Sequence, residues 1–295
     1  MKVLVTGGRG FVGNFLTGLI VARGDRVTVV SRRPESVRTA RVNVEVAGWL
    51  PDLSKFDAVV HLAGEPVFGA RWNDAQKERI RASRVDSTRR IVAALAEADP
   101  RPRVLVCASA VGYYGDRGDE VLGEDAPAGG DFLAGVCREW EAAAQEARGA
   151  GVRPVSARIG VVLGLGGGAL PRLARPVRLG LGGTIGRGRQ WMSWVHVKDL
   201  GRLILHAIDT ESLEGPLNAT APQPVTNREL TRTLGRLLRR PTLLPAPPFA
   251  LRLALGEVAR LLTDSQRCSA DKALASGFEF GFPALDGALR QLLHR

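Results

Sequence analysis

Residues 2–24 read KVLVTGGRGFVGNFLTGLIVARG: a short apolar run, a glycine-rich turn, and a longer apolar pattern that ends at a glycine. This order predicts a strand, a turn and a helix. Gly7 allows the tight turn, Gly10 lets the backbone approach a pyrophosphate, and Gly13 lets the helix pack closely on the strand. Because a helix start also presents N–H groups to phosphates, the stretch predicts a dinucleotide site. Its candidate cofactor-binding residues are Gly7, Gly10, Phe11, Val12 and Gly13.

The following residues continue the alternation of apolar runs and helical patterns. The predicted buried strands are RVTVVS (26–31), DAVVHLAG (57–64), RVLVCASA (103–110) and RPVSARIGVVLG (153–164). One long helix is predicted over residues 73–98 and another over the stretch GGDFLAGVCREWEAAA, residues 129–144. This rhythm predicts an α/β fold, a Rossmann-type doubly wound parallel sheet.

The composition changes after Gly164, where glycine and proline become dense and argue for loops around short helices. We expect residues 1–165, resumed by about 190–222, to form the Rossmann domain. Residues 166–189 and 223–295 are expected to form a smaller domain on the substrate side, closing over the carboxyl edge of the sheet.

The second predicted strand ends in Ser31-Arg32-Arg33. An NAD site usually has an Asp or Glu at this point to bind the ribose 2′-hydroxyl. A hydroxyl and two guanidiniums suit a 2′-phosphate instead, so the sequence predicts NADP(H) as the cofactor, with all three residues in contact with it. The alternative is a solvated turn before Pro34.

The composition limits the classes of partner that the chain is expected to bind. The 41 basic residues exceed the 30 acidic ones, but arginine is spread through every segment, so nucleic acid is an unlikely partner and a phosphorylated ligand fits as well. No apolar run has the length of a membrane span, and no signal peptide precedes the first strand, so we expect no membrane partner and a cytoplasmic location. The three cysteines lack metal-ligand spacing, which predicts free thiols and no metal site.

Several motifs together resemble the extended short-chain dehydrogenase/reductase superfamily. These are the glycine turn, HLAG (61–64), SAVGYYG (109–115) and WVHVKDL (194–200). GEPVFGARW, GVVLGLGGGAL and GFEFGFPALDGAL narrow the resemblance to its atypical subgroup of epimerase family proteins, which are sugar-nucleotide epimerase-like and carry a small C-terminal domain. The resemblance implies that Leu62, Ala63, Gly64 and Val162 contact the cofactor, Val162 through its backbone beside the nicotinamide.

The superfamily's proton-transfer groups are altered here. Typical members use a Tyr, a Lys four residues on, an upstream Ser or Thr, and an Asn, because hydride transfer at a carbinol carbon requires a matched proton transfer. The corresponding positions read Leu133, Cys137, Ser109 and Arg84, a pattern that resembles the atypical subgroup itself. The candidate catalytic residues are therefore Ser109, Tyr114 and Cys137.

Each replacement has a plainer alternative. Arg84, with Glu78, is a candidate cofactor ligand that supplies the lost positive charge, or an exposed helical arginine. Tyr114 lies after the strand in the loop where such folds bind ligands, yet it has no neighbouring Lys to lower its pKa, so it either donates to the substrate or packs. Cys137 is either a reactive thiol near the nicotinamide or a small buried hydrophobe.

The stretch GRGRQWMSWVH combines arginines with aromatic residues that suit phosphate and ring contacts. The candidate substrate residues are Arg187, Arg189, Trp191 and His196, the last also explicable as a structural imidazole. Two functions remain open: an NADP(H)-dependent oxidoreductase or epimerase acting on a small, phosphorylated or nucleotide-linked substrate, and a non-catalytic NADP(H) sensor or assembly protein. A homodimer is expected with either function.

Overall fold

The computed structural model describes residues 1–36 and 43–293. The strands are β1 (Lys2–Thr6), β2 (Arg26–Val30), β3 (Val44–Ala47), β4 (Ala58–His61), β5 (Val104–Ala110), β6 (Val121–Leu122), β7 (Arg153–Ile159), β8 (Val161–Gly164), β9 (Gly167–Gly168), β10 (Trp191–Met192), β11 (Trp194–His196), β12 (Gly215–Ala219), β13 (Val225–Thr226) and β14 (Arg267–Cys268). The α-helices are α1 (Phe11–Ala22), α2 (Asp74–Ala82), α3 (Val85–Glu97), α4 (Phe132–Gln145), α5 (Leu170–Arg178), α6 (Val197–Asp209), α7 (Asn227–Leu238), α8 (Pro248–Leu255), α9 (Arg260–Thr263), α10 (Asp271–Ala275) and α11 (Leu285–Leu293). Single 3-10 turns span Pro34–Ser36, Leu53–Lys55, Val111–Tyr114, Glu146–Ala150 and Gly256–Ala259.

Within this described part of the chain, seven parallel strands form the central sheet in the order β12-β7-β5-β4-β1-β2-β3. The strand order reverses beside β1, which is the doubly wound topology predicted from the sequence. The carboxyl ends of β1 and β4 meet at this reversal, where such folds bind their ligands.

Helices cover both faces of the sheet because its strands are apolar on both sides. Val3 and Val5 face α1 and α6, whereas Leu4, between them, faces α3 and α4. A further apolar core joins α5, α7 and α11 around the buried Trp194. This core also contains Leu163 and Ala221, so the segment predicted to form a smaller domain shares it with residues of the predicted Rossmann part.

Two predicted elements are divided in the structure. The single helix expected over 73–98 is α2 and α3, which separate at Ser83 and Arg84. The hydroxyls of Ser87 and Thr88 donate to the carbonyls of these two residues. The single strand expected over 153–164 is β7 and β8, which separate at Gly160. A Cβ at Gly160 would lie 2.6 Å from the Ser193 carbonyl oxygen, so the chain passes too close to its neighbour there for any side chain.

Candidate functional site

The glycine turn lies between β1 and α1 and is packed too closely for side chains. Gly7 has φ +70°, and a Cβ on it would lie 2.7 Å from the backbone of Leu62 and Ala63. A Cβ on Gly13 would lie 2.6 Å from the Cα of Gly8. The turn therefore presents bare backbone, and the start of α1, to the space above the sheet.

That space is a cleft of 1140 Å³ along the carboxyl ends of β1, β2 and β4. It brings together eight of the predicted cofactor residues: Gly7, Gly10, Ser31, Arg32, Arg33, Leu62, Ala63 and Gly64. Other lining residues were not predicted: Thr6, Arg9, Val30, Trp49, Glu65, Pro66, Ser83, Ser87 and Arg90. The volume is sufficient for a dinucleotide-sized ligand.

The cleft is strongly basic at its outer end. Four arginines line it against one carboxylate among the described residues, that of Glu65. Arg32 and Arg33 are exposed immediately after β2, and the backbone N–H of Arg33 donates to the Ser31 hydroxyl at 3.2 Å. Such a cluster favours a ligand that carries more than one phosphate.

His61 lies beneath the cleft. It is fully buried at the end of β4, with ring nitrogens 2.5 Å from the Thr6 hydroxyl and 3.0 Å from the Ser87 hydroxyl. Burial, together with the positive charge of Arg84, lowers the pKa of His61 to about 3. The imidazole is therefore neutral at physiological pH. The sequence feature that could have indicated His61 as a site residue is a single polar residue at the end of an apolar strand.

Arg84 lies beneath Gly64, where a Cβ would be 3.1 Å from the guanidinium carbon. Its guanidinium donates to the Ile80 carbonyl at 3.0 Å and lies over the Trp140 ring, and burial lowers its pKa. It is not an exposed helical arginine. Glu78, by contrast, is 65% exposed on α2 and pairs with Arg81, away from the residues that line the cleft.

A buried polar network lies behind the end of β5. The Ser109 hydroxyl donates to Glu141 at 2.6 Å, and Arg158 binds the same carboxylate through two N–H groups. Arg158 also donates to the Tyr114 hydroxyl, which in turn donates to Asn218 at 2.7 Å. The sequence does not indicate this role for Glu141, Arg158 and Asn218, because nothing local links residues so far apart in the chain.

This network places Tyr114 in the interior rather than in the cleft. The side chain is fully buried, and burial raises the pKa of its phenol well above the ordinary value. Cys137 is buried on α4, where burial first and Glu141 second raise the pKa of its thiol to about 12. For both residues the geometry matches the packing alternative.

Phe11 and Val12 support the glycine turn from α1. Val12 packs on the core of the sheet, and the Phe11 ring lies in a slot formed by the glycines of β8 and β9. A Cβ at Gly164 or Gly168 would come within 2.5 or 2.9 Å of that ring. Val162 lies in the same hairpin, where its carbonyl accepts a hydrogen bond from the Ala169 N–H at 3.0 Å.

The predicted substrate residues divide between two places. Arg187 and Arg189 line a separate cavity of 440 Å³ with Asp116 and Asp119. Trp191 donates to Asp119 at 2.7 Å, beside that cavity.

His196 lies away from this cavity. It stacks on Phe282 at 4.0 Å and is held by Gln291 and by the N–H of Lys198. Burial lowers its pKa, so its geometry matches the structural imidazole.

Comparisons with known proteins cover nearly the whole chain. Residues 3–218 match the NAD dependent epimerase/dehydratase family, and residues 246–292 match a domain of unknown function, DUF1731. Epimerase family protein YfhF of Bacillus subtilis is 38% identical over 99% of this chain and 98% of its own. The crystal structure of the human epimerase family protein SDR39U1 with NADPH is 36% identical, has a TM-score of 0.89 and covers 99% of each chain. A nucleoside-diphosphate sugar epimerase from Corynebacterium glutamicum is 34% identical, with a TM-score of 0.79 over 99% of this chain and 58% of its own.

Proposed function

We propose that this chain, which belongs to the NAD dependent epimerase/dehydratase family, binds NADP(H) as an atypical short-chain dehydrogenase/reductase-like protein. The single observation that carries the proposal is the cleft, in which the side-chain-free turn at Gly7 and Gly10 meets the arginines that follow β2. The human relative, whose structure contains NADPH, supports the same choice of cofactor.

Each part of the cleft has a proposed task. The backbone of Gly7 to Gly13 and the start of α1 hold the pyrophosphate, as their packing leaves no room for a Cβ. Ser31, Arg32 and Arg33 hold the 2′-phosphate. Leu62, Ala63 and Gly64 form the wall beneath the cofactor, and Arg84, under Gly64, places a positive charge near its ribose. The bound nicotinamide supplies the hydride chemistry.

Ser109 is the proposed catalytic group. Its proton is directed to Glu141, and Arg158 keeps that carboxylate in place, so the Ser109 oxygen is oriented as a hydrogen-bond acceptor for a substrate hydroxyl. Cys137 is proposed to remain a protonated, buried thiol beside Glu141. Tyr114 orients Arg158 from behind.

We propose a small, phosphorylated or nucleotide-linked substrate. Support comes from Arg187 and Arg189 at their cavity and from the similarity to a nucleoside-diphosphate sugar epimerase. The reaction would be an oxidation–reduction or an epimerisation. The division into residues 1–165 with 190–222, and 166–189 with 223–295, remains a prediction, as do the homodimer and the cytoplasmic location.

A second candidate function is a non-catalytic NADP(H) sensor. It is favoured by the burial of Tyr114 and the raised thiol pKa of Cys137, which leave these two groups without a part in proton transfer near neutral pH. Binding of NADP(H) to the folded state would then stabilise one conformation of the chain.

The test is a titration of the purified protein with NADPH, NADH and NADP+, followed by bound NADPH fluorescence as sugar nucleotides and small carbonyl compounds are added. Gly13→Ala should abolish binding because the new methyl would meet Gly8. Gly135→Ala, in α4 with open space at its Cβ, is the matched control and should bind normally. Binding followed by substrate-dependent oxidation supports the enzyme, and binding without oxidation supports the sensor. Absence of binding would refute both.

A further inference from the structure

Apolar side chains are exposed on two segments, residues 179–181 and 243–253. The exposed apolar face, as we call it, consists of Leu179, Leu181, Leu243, Leu244, Phe249 and Leu253. These are six of the nine large hydrophobic side chains exposed in residues 1–36 and 43–293. Phe249 is 72% exposed and Leu253 is 80% exposed, and none of the eight residues of α8 is buried. Contiguous exposed apolar surface of this kind marks an interaction site.

The two segments that carry the face lie side by side. The N–H of Leu244 donates to the Gly182 carbonyl at 3.1 Å, and the N–H of Ala246 donates to that of Thr184 at 2.8 Å. Residues 182–184 therefore run beside residues 244–246, which lead directly into α8. Leu179 and Leu181 lie in the loop that leads into residues 182–184. The segment that contains residues 244–246 and α8 carries the other four residues of the face, Leu243, Leu244, Phe249 and Leu253.

Positive charge predominates in the two segments that carry the face. Residues 166–189 and 230–255 contain ten arginines and neither Asp nor Glu, so these two segments carry nearly all of the net charge of +11. All ten are exposed, and Asp286 pairs with Arg236 from outside them. Arg178 adjoins Leu179 in sequence, Arg239 and Arg240 precede Leu243, and Arg252 adjoins Leu253.

We propose that the exposed apolar face docks on the surface of an anionic lipid bilayer. Leucine and phenylalanine among arginines is the composition of helices that lie in the membrane interface, where apolar side chains enter the acyl region and arginines bind headgroups. A second copy of the same face would bring arginine against arginine. No helix in the described part of the chain is long and apolar enough to cross a membrane. The proposed docking is therefore to the bilayer surface. It differs from the expectation, drawn from the sequence, that the chain has no membrane partner.

The experiment is co-sedimentation of the full chain with phosphatidylcholine vesicles, with and without a minority of phosphatidylglycerol. The protein should sediment with the anionic vesicles, not with neutral ones, and less so as salt is raised. F249S/L253S should weaken binding by roughly tenfold or more, and R239S/R240S by about tenfold. The matched control is L274S, which removes an apolar side chain 45% exposed on α10 and should bind like wild type. Thermal unfolding of every variant verifies the fold.

Four results would overturn the proposal. They are failure of the wild type to sediment with anionic vesicles, equal binding to neutral ones, binding that the apolar double variant leaves unchanged, and an equal loss in L274S. Duplex DNA serves as a polyanion without an apolar phase. If DNA binds as tightly as the vesicles do and F249S/L253S retains that binding, the face is a nucleic-acid surface instead. The proposal does not depend on cofactor binding, so it can fail separately from the proposed function.

Discussion

The guanidinium of Arg158 and the carboxylate of Glu141 form a two-point ion pair in the interior, with Nε–Oε1 and Nη2–Oε2 distances of 2.9 and 2.8 Å. Their side chains are 3% and 11% exposed. Burial alone would lower the pKa of Arg158, but the hydrogen bonds and charge of Glu141 raise it above its ordinary value. The pair fixes the carboxylate that receives the Ser109 proton.

Arg158→Met should destabilise the protein by about 3–5 kcal/mol, because it leaves Glu141 charged and without its partner in the interior. Urea unfolding at neutral pH measures the loss. The double variant Arg158→Met/Glu141→Leu removes both charges and should regain part of it. If the double variant lost more stability than the two single variants lose when their losses are added, the unpaired charge would not be the cause of the destabilisation.

Tyr114→Phe should lower the free energy of unfolding by about 1–3 kcal/mol, because the single phenol proton shared by Asn218 and the Gly123 carbonyl is lost and Arg158 loses an acceptor. NADPH affinity should stay unchanged, because Tyr114 is not among the residues that line the cleft. Urea unfolding and NADPH titration of the same preparation measure the two quantities. A variant that kept its stability but lost turnover would restore the catalytic role of this phenol.

Arg32→Ala should weaken NADPH binding by roughly 1.5–3 kcal/mol, the range for a hydrogen bond to a charged group, and leave NADH binding nearly unchanged. The 2′-phosphate is the one group that distinguishes the two cofactors. Parallel fluorescence titrations provide the comparison. Arg101→Ala is the control, because Arg101 lies near the amino ends of β1 and β2, away from the cleft. Equal losses for the two cofactors would remove Arg32 from the 2′-phosphate site.

His61 should make the protein less stable in acid. Its native pKa of about 3 lies below the unfolded value of about 6.5, so the unfolded chain binds a proton that the native state does not. The stability is complete above about pH 6.5 and declines as the pH falls toward 3, by at most about 1.4 kcal/mol per pH unit.

The variant His61→Asn, whose amide can still bond Thr6 and Ser87, isolates this contribution. It should unfold with a shallower pH dependence between pH 6 and 4, measured by urea titration at each pH. The contribution of His196, whose pKa burial also lowers, remains in the variant. Identical slopes in the two proteins would show that His61 does not titrate in this way.

The sheet and the glycine turn were predictable because their signals are local. An apolar run followed by three spaced glycines and a helical pattern has few folded outcomes, and family resemblance supplied the rest. The break at Ser83 and Arg84 was not predictable from periodicity, since the residues around it look like ordinary polar positions on a helix.

The interior network escaped prediction for a different reason. Arg158 lies in β7, and its partner Glu141 comes from a helix before it. Asn218, which joins the network through Tyr114, comes from a strand well after it. Pairing over such separations is set by the packed fold, so Tyr114 could not be assigned to the interior from its own motif. Trp49 and Arg90, across the cleft from the glycine turn, were missed likewise.

The slot around the Phe11 ring makes the glycines of β8 and β9 dependent on a side chain some 150 positions earlier. Gly164 and Gly167 are small because an aromatic ring fills the space that their own side chains would take. Tolerance to substitution in the hairpin is therefore set in part at the first residue of α1. In a library of variants, alanine in the hairpin should be accepted more often once Phe11 has become smaller, so the two sites should evolve together.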